Sequence, residues 1–402
     1  MASRIARGRR EGHGLAAAVS GAVSEGAVRE GAAGEILIVA GEASADLHAS
    51  RVVRELRARG SALRFAGIGG DRLRAEGVEL VEHAERLAVM GFLEVLRHVP
   101  AHYRLLRQLQ RRLASGRVKL LLLLDYPGFN MKLAAAAHRL GVPVLYYITP
   151  QVWAWGAKRI PVLARIVTKA AVIFRFEEEL LRARGVDATF VGHPLLDRMA
   201  DLPTRDEALA RLGLDGARPV LALFPGSRAQ EIARHLDDFV ATARELERRY
   251  PGLQVVVSGA PTVRLDRARC PYPVVSDASG TVFRAATAAM CKSGTTTLEA
   301  AVAGCPLVVA YRTSPITYRL ARRVVKIPHI GLVNIVAGRE VAREFVQDAL
   351  QPASVADALQ PLLREGDPVR EAMLARLAEV RAQLGTPGAA ARVADLATEL
   401  IQ

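Results

Sequence analysis

Cysteine is scarce in this chain: Cys270, Cys291 and Cys305 are the three in 402 residues. They lack metal-binding spacing and cannot all pair with one another, which points to a reducing cytoplasm. Cys291 and Cys305 flank an apolar helical stretch and read as small core residues. Aromatic residues make up only 5% of the chain. With no zinc-finger spacing and no aromatic-glycine RNA-binding signature, nucleic acid is the weakest partner class. No apolar run reaches about 18 residues, so no membrane-spanning helix is expected. Residues 1–34 contain no apolar core of a secretory signal. They are rich in Arg, Gly and Ala without a sustained apolar period, and read as a disordered tail or a mis-set start.

Two further absences concern chemistry. The turns Gly41-Glu42-Ala43-Ser44-Ala45-Asp46 and Gly67-Ile68-Gly69-Gly70 both miss the G-x-G-x-x-G spacing, which disfavours a dinucleotide-dependent dehydrogenase. No D-x-D pair is available to hold a metal for a nucleotide sugar, so neither metal nor cofactor is expected. What the chain does have is positive charge: a formal net charge of +14 and a pI near 10.3. That balance attracts anions such as phosphorylated substrates or an anionic membrane surface.

Half of the residues are hydrophobic, and the length allows two domains. From Glu35 short apolar runs alternate with helical patterns: 36–40, 64–66, 118–124, 142–147, 171–174 and 188–191 read as strands. Around residues 193–205 two prolines and several Asp suggest a linker. The alternation then restarts with 220–224, 254–258, 274–276, 288–291 and 307–310. Such alternation predicts parallel sheets covered on both faces, with ligands at the carboxyl ends of the strands. The expected organisation is a tail over 1–34, α/β domains over 35–200 and 201–350, and helices over 351–402 that pack back on the first domain.

The candidate functional residues sit at strand ends. Lys292-Ser293-Gly294-Thr295 opens a helix, and its free N–H groups and helix dipole suit a phosphate. Glu299, one turn further, suits a ribose; a plain capped helix is the alternative. Pro225-Gly226-Ser227-Arg228 closes another strand and suits a diphosphate clamp. The alternative there is an intrahelical pair between Arg228 and Glu231. Asp125 closes an apolar strand, where burial raises a carboxyl toward a useful general base; a turn or N-cap role is the other reading. Ser44 and Asp46 read equally as ligand contacts or helix caps. Trp153 and Trp155 would form a sugar-stacking wall or plug the core.

Taken together these segments resemble the bacterial lipid-A-disaccharide synthase family, inverting glycosyltransferases of the two-domain GT-B type. The resemblance rests on residues 41–46, Met90-Gly91-Phe92-Leu93-Glu94-Val95, 125–130, 150–155, 191–194, 225–228, 292–299 and 333–340, in family order over most of the chain. Ala45 departs from the Gly usual there, and the family has no need of residues 1–34. The resemblance implies transfer from UDP-2,3-diacylglucosamine to 2,3-diacylglucosamine 1-phosphate. It implies UDP contacts from Gly226, Ser227, Arg228, Ser293, Gly294, Thr295, Glu299 and Asn334. Acceptor contacts would come from Ser44, Asp46, Met90, Gly91 and Asn130, with Asp125 as base and Glu94 second. The acylated substrates imply work at the cytoplasmic face of the inner membrane, to which the basic, leucine-striped stretch 103–113 is suited; a packed surface helix is the alternative. A homodimer stays open. Rival readings are another UDP-sugar enzyme of the same fold, such as a 2-epimerase or the peptidoglycan transferase, and a non-catalytic nucleotide- or lipid-binding protein.

Overall fold

A computed structural model describes residues 34–87, 92–259, 265, 268–324 and 327–402. The tail expected over 1–34 therefore lies, apart from Gly34, outside the described residues. Two parallel sheets organise the chain. The first runs in the order β3-β2-β1-β4-β5-β6-β7. Its strands are β1 (Glu35–Ala40), β2 (Arg64–Gly69), β3 (Glu79–His83), β4 (Val118–Leu124), β5 (Val144–Tyr147), β6 (Lys169–Val172) and β7 (Ala188–Phe190). The second runs β10-β9-β8-β11-β12-β13. It comprises β8 (Val220–Phe224), β9 (Gln254–Gly259), β10 (Val274–Ser276), β11 (Ala288–Lys292), β12 (Leu307–Tyr311) and β13 (Glu344–Val346).

The central strands are apolar throughout because both faces are covered. Side chains alternate across a strand, so β1 and β4 feed two cores. Leu37, Val39, Leu121 and Leu123 pack with the helices Phe92–Leu113, Pro127–Arg139 and Ile160–Ile166. Ile36, Ile38, Leu120, Leu122 and Leu124 pack with the helix Ala43–Ala58. The last helix, Ala389–Ile401, lies on that same face through Val393, Ala394 and Ala397. The chain thus crosses between the units twice. The crossings meet where the His193 N–H donates to the Leu384 carbonyl at 2.9 Å. Asp197, in the short helix Leu195–Arg198, accepts the N–H groups of Gly388 and Ala389 and so caps the last helix.

Apolar content does not reveal every strand. β3 and β13 are edge strands whose residues are mostly half-buried and include Glu79, Glu82 and Glu344, so no apolar run announces them. The leucines of stretch 103–113 also have a plainer role than lipid contact. Leu105, Leu106, Leu109 and Leu113 are buried in the core against β1 and β4, while Tyr103, Arg104, Arg107, Gln108 and Arg111 are exposed. Trp153 donates its Nε1–H to Glu177 Oε1 at 2.8 Å and packs edge-on against Phe176. It is a packing residue with its polar tip engaged. Glu177 is buried, and burial lifts its carboxyl to about 7 against the opposing bonds from Trp153 and the Phe174 N–H.

Two outcomes follow from this packing. Leu109→Ala should lower the unfolding free energy by about 2–5 kcal/mol, read as a lower urea midpoint, with retention on anionic vesicles unchanged. Leucines that met lipid would give the reverse. Because folding raises the Glu177 carboxyl, the native state binds the extra proton, and stability from this group is lost as pH rises toward 7. Tryptophan emission should titrate with a midpoint near 7, and Glu177→Gln should flatten that titration. A pH-independent signal in the wild type would overturn this account.

Candidate active site

In each sheet the strand order reverses once, between β1 and β4 and between β8 and β11. A reversal leaves a crevice at the carboxyl ends of its two strands, because the following helices diverge to opposite faces.

At the second reversal β8 ends in Phe224 and runs into Pro225-Gly226-Ser227-Arg228. Gly226 has φ +136°, and a Cβ there would lie 2.7 Å from the Cβ of Glu231, so only glycine fits. The turn aims the Ser227 N–H at Glu231 Oε2, 3.0 Å away. Arg228 precedes the helix Ala229–Arg249 and is largely exposed, with Nη1 3.8 Å from Glu231 Oε1. β11 delivers Lys292, whose Nζ donates to Glu231 Oε1 at 2.9 Å. Gly294 follows with φ +151°, and Ser293 Oγ donates to the Ile330 carbonyl. Thr295 then starts the helix Thr296–Ala303. Glu299 in that helix is paired with Arg198 from the crossing segment.

Beside the Gly226-Ser227 turn and the start of the helix Thr296–Ala303 lies a cavity of about 490 Å³, which Arg228 and residues 292–295 do not line; its size is within the range that holds a nucleotide-sized ligand. Gly226, Ser227, Thr296 and Glu299 line it, together with Arg198 and the segment from Asp277 to Thr281. Arg198 and Asp277 were not among the residues singled out from sequence, and Lys292 was named there only as part of its turn. Small polar residues after a short strand, Asp277-Ala278-Ser279-Gly280, were the available signal for that wall.

At the first reversal β1 ends before Gly41-Glu42 and β4 before Asp125-Tyr126. Asp125 and Tyr126 have φ of +45° and +47°, a left-handed pair without glycine that costs of order 1–3 kcal/mol per residue. The surrounding bonds enforce it. Tyr146 donates its hydroxyl to the Asp125 carbonyl at 2.7 Å. Asn130 Nδ2 donates to the same carbonyl at 2.7 Å and to that of Leu124 at 3.1 Å. Burial raises the Asp125 carboxyl above its ordinary range, with the Tyr126 N–H opposing. Glu42 is raised as well, by burial and then by the charge of Asp125, while Arg228 from the other unit pulls it down. Glu42 thus feels a carboxylate of its own domain and a guanidinium of the other.

Several residues proposed as ligand contacts hold backbone instead. Asp46 is buried, with Oδ1 accepting from the N–H groups of Gly70 and Leu73 and Oδ2 from that of Arg72. It caps the helix Asp71–Ala75. Asn130 is fully buried behind Asp125. Asn334 is also fully buried; its Nδ2 donates to Ala342 O and Glu344 Oε1, and its Oδ1 accepts from Val341 and Ala342. No capacity is left on Asn334 for a nucleotide. Ser44 is exposed on the first turn of its helix. Met90 and Gly91 lie outside the described residues, and Glu94 is placed by its backbone alone, at the start of the helix Phe92–Leu113. Among the described residues no three His, Cys, Asp or Glu side chains converge to hold a metal ion.

Comparison with known proteins adds the family. The family model for lipid-A-disaccharide synthetase matches residues 36–390. The lipid-A-disaccharide synthase of Trichlorobacter lovleyi is 41% identical over 374 residues, spanning 91% of this chain and 97% of its own. That of Anaeromyxobacter dehalogenans strain 2CP-C is 44% identical over 372 residues, spanning 90% and 96%. Among solved structures, the glycotransferase of kitacinnamycin matches with a TM-score of 0.61 at 18% identity, over 92% of this chain and 100% of that one. That likeness is one of fold. With two facing parallel α/β units and a match along nearly its whole described length, the chain belongs to the lipid-A-disaccharide synthase family.

Proposed function

We propose that this enzyme joins UDP-2,3-diacylglucosamine to 2,3-diacylglucosamine 1-phosphate, forming a β-1,6-linked tetraacyl disaccharide 1-phosphate and UDP. Family membership replaces the 2-epimerase, peptidoglycan-transferase and binding-protein readings. The observation that carries the mechanism is a half-buried carboxyl, Asp125, held in a fixed left-handed turn at the strand reversal of one sheet, with a nucleotide-sized cavity at the reversal of the other.

UDP occupies the cavity at the β8–β11 reversal. The Ser227 N–H, Arg228, Lys292 and the N-terminus of the helix Thr296–Ala303 meet its diphosphate; Glu299 and Arg198 flank the ribose. The acceptor sugar lies against the first domain near Ser44 and the start of the helix that carries Glu94. Its 6-hydroxyl attacks the anomeric carbon from the face opposite UDP and gives its proton to the Asp125 carboxylate. The bond to the diphosphate oxygen breaks, and that oxygen keeps the electron pair. Positive groups fixed before the reaction stabilise the departing charge without reorganising. The left-handed backbone at Asp125 holds the base in place, and its burial brings proton affinity nearer the working pH.

Among the described residues no helix is long and apolar enough to cross a membrane. Access to acylated substrates then rests on surface charge, for which exposed Arg104, Arg107 and Arg111 provide one face.

Purified protein mixed with both diacyl sugars should yield UDP and the disaccharide by mass spectrometry; no product would sink the proposal. Asp125→Asn should cut turnover by about 10²–10⁴ while UDP affinity by calorimetry stays unchanged. Since the base must be deprotonated, wild-type turnover should fall as pH drops through the raised Asp125 value, and that acidic limb should vanish in the mutant. A mutant retaining more than about a tenth of wild-type turnover would demote Asp125 to a turn residue and leave Glu94 as the base to test.

A further inference from the structure

The turns assigned to the diphosphate enclose an anion that belongs to the chain itself. Three positively polarised groups from two separate loops converge on the carboxylate of Glu231. Oε2 accepts the Ser227 N–H at 3.0 Å. Oε1 accepts from Lys292 Nζ at 2.9 Å and lies 3.8 Å from Arg228 Nη1. Burial alone would raise this carboxyl, but Lys292, the Ser227 N–H and Arg228 together hold it below its ordinary range. It therefore sits there as a full negative charge. The glycine at 226 makes the approach feasible, since a Cβ there would lie 2.9 Å from Oε2.

We propose that Glu231 is an internal stand-in for a phosphate of the nucleotide, filling the cradle in the empty enzyme and swinging out when the diphosphate enters. The proposal rests on the nucleotide site proposed above. A carboxylate and a phosphate present the same kind of paired acceptor oxygens to N–H and ammonium donors. Both cannot use the Ser227 N–H and Lys292 at once, and their like charges repel. Glu231 stands on the first turn of the helix Ala229–Arg249, so rotation about its side-chain bonds suffices to clear the cradle without moving backbone. Such a stand-in keeps the half-buried Lys292 and the glycine turn from being left unpartnered and disordered in the empty state. It also makes UDP compete for its own site, which weakens product binding and speeds product release. Uridine, having no phosphate, escapes that competition.

Calorimetry on the full-length protein with UDP and with uridine separates the possibilities. Glu231→Gln keeps the shape and an acceptor for Ser227 but removes the charge. If the carboxylate fills the cradle roughly nine-tenths of the time, weakening it should tighten UDP about tenfold, leave uridine unchanged and slow UDP release in stopped flow. Glu231→Asp keeps the charge but draws it back by one methylene, so it should tighten UDP to a smaller degree; it also serves if the Gln variant fails to fold. UDP affinity unchanged or weakened in a folded variant would mean that Glu231 merely orients Lys292, overturning the proposal. Equal tightening of uridine would overturn it too. A wild-type protein that binds no UDP would defeat the underlying nucleotide reading first, a result distinct from either of these.

Discussion

The cleft depends on one joint, where the two chain crossings are fastened to each other. At that joint the His193 N–H meets Leu384, Asp197 caps the returning helix, and Arg198 reaches Glu299 on the wall of the cavity. Three neighbouring residues of one short segment thus tie the first domain, the second domain and the chain terminus. The joint is also crowded with cations, and its two imidazoles are kept neutral. Burial, then His48 and Arg198, lowers His193 to about 3; burial, then Arg51, Arg198 and Asp197's partial offset, takes His48 to about 4. Fewer charges at the joint mean less repulsion where Arg51 and Arg198 gather.

The sheets were legible because parallel strands covered on both faces must be continuously apolar. Runs such as Val118–Leu124 and Val220–Phe224 have no other economical reading. Strands β3 and β13 were not legible, since Glu79, Glu82 and Glu344 leave them without an apolar run. Both phosphate-suited turns were visible from glycine and small residues at strand ends. Their coupling through Glu231 was not, because no local pattern tells that Lys292, 61 residues away, will reach the same carboxylate. Nor does sequence tell whether a strand-end polar residue faces a cavity or backbone. Asp46, Asn130 and Asn334 have the chemistry of ligand contacts, yet each is buried and bonded to main chain.

Those three residues explain how the site keeps its shape. A loop that leaves a strand at a sharp angle exposes main-chain donors and acceptors that neither helix nor sheet satisfies. Asn130 supplies the missing donors behind Asp125, and Asn334 both donors and acceptors behind the turn at Val341. The left-handed conformation at Asp125 and Tyr126 persists because this scaffold leaves no better alternative. Groups that touch no substrate thereby determine where the base stands.

The return of the last helix sets the order in which the protein can be completed during synthesis. Val191 and Val393 share one core although 202 residues separate them. At roughly 5–20 residues per second, a ribosome needs on the order of 10–40 s to cover that interval. Throughout it, the first sheet waits with part of one face bare while the second domain emerges and folds between its two halves. The domain that begins first is therefore finished last, and any polypeptide released before its final helix presents that uncovered leucine- and isoleucine-rich face to the chaperones and proteases around it.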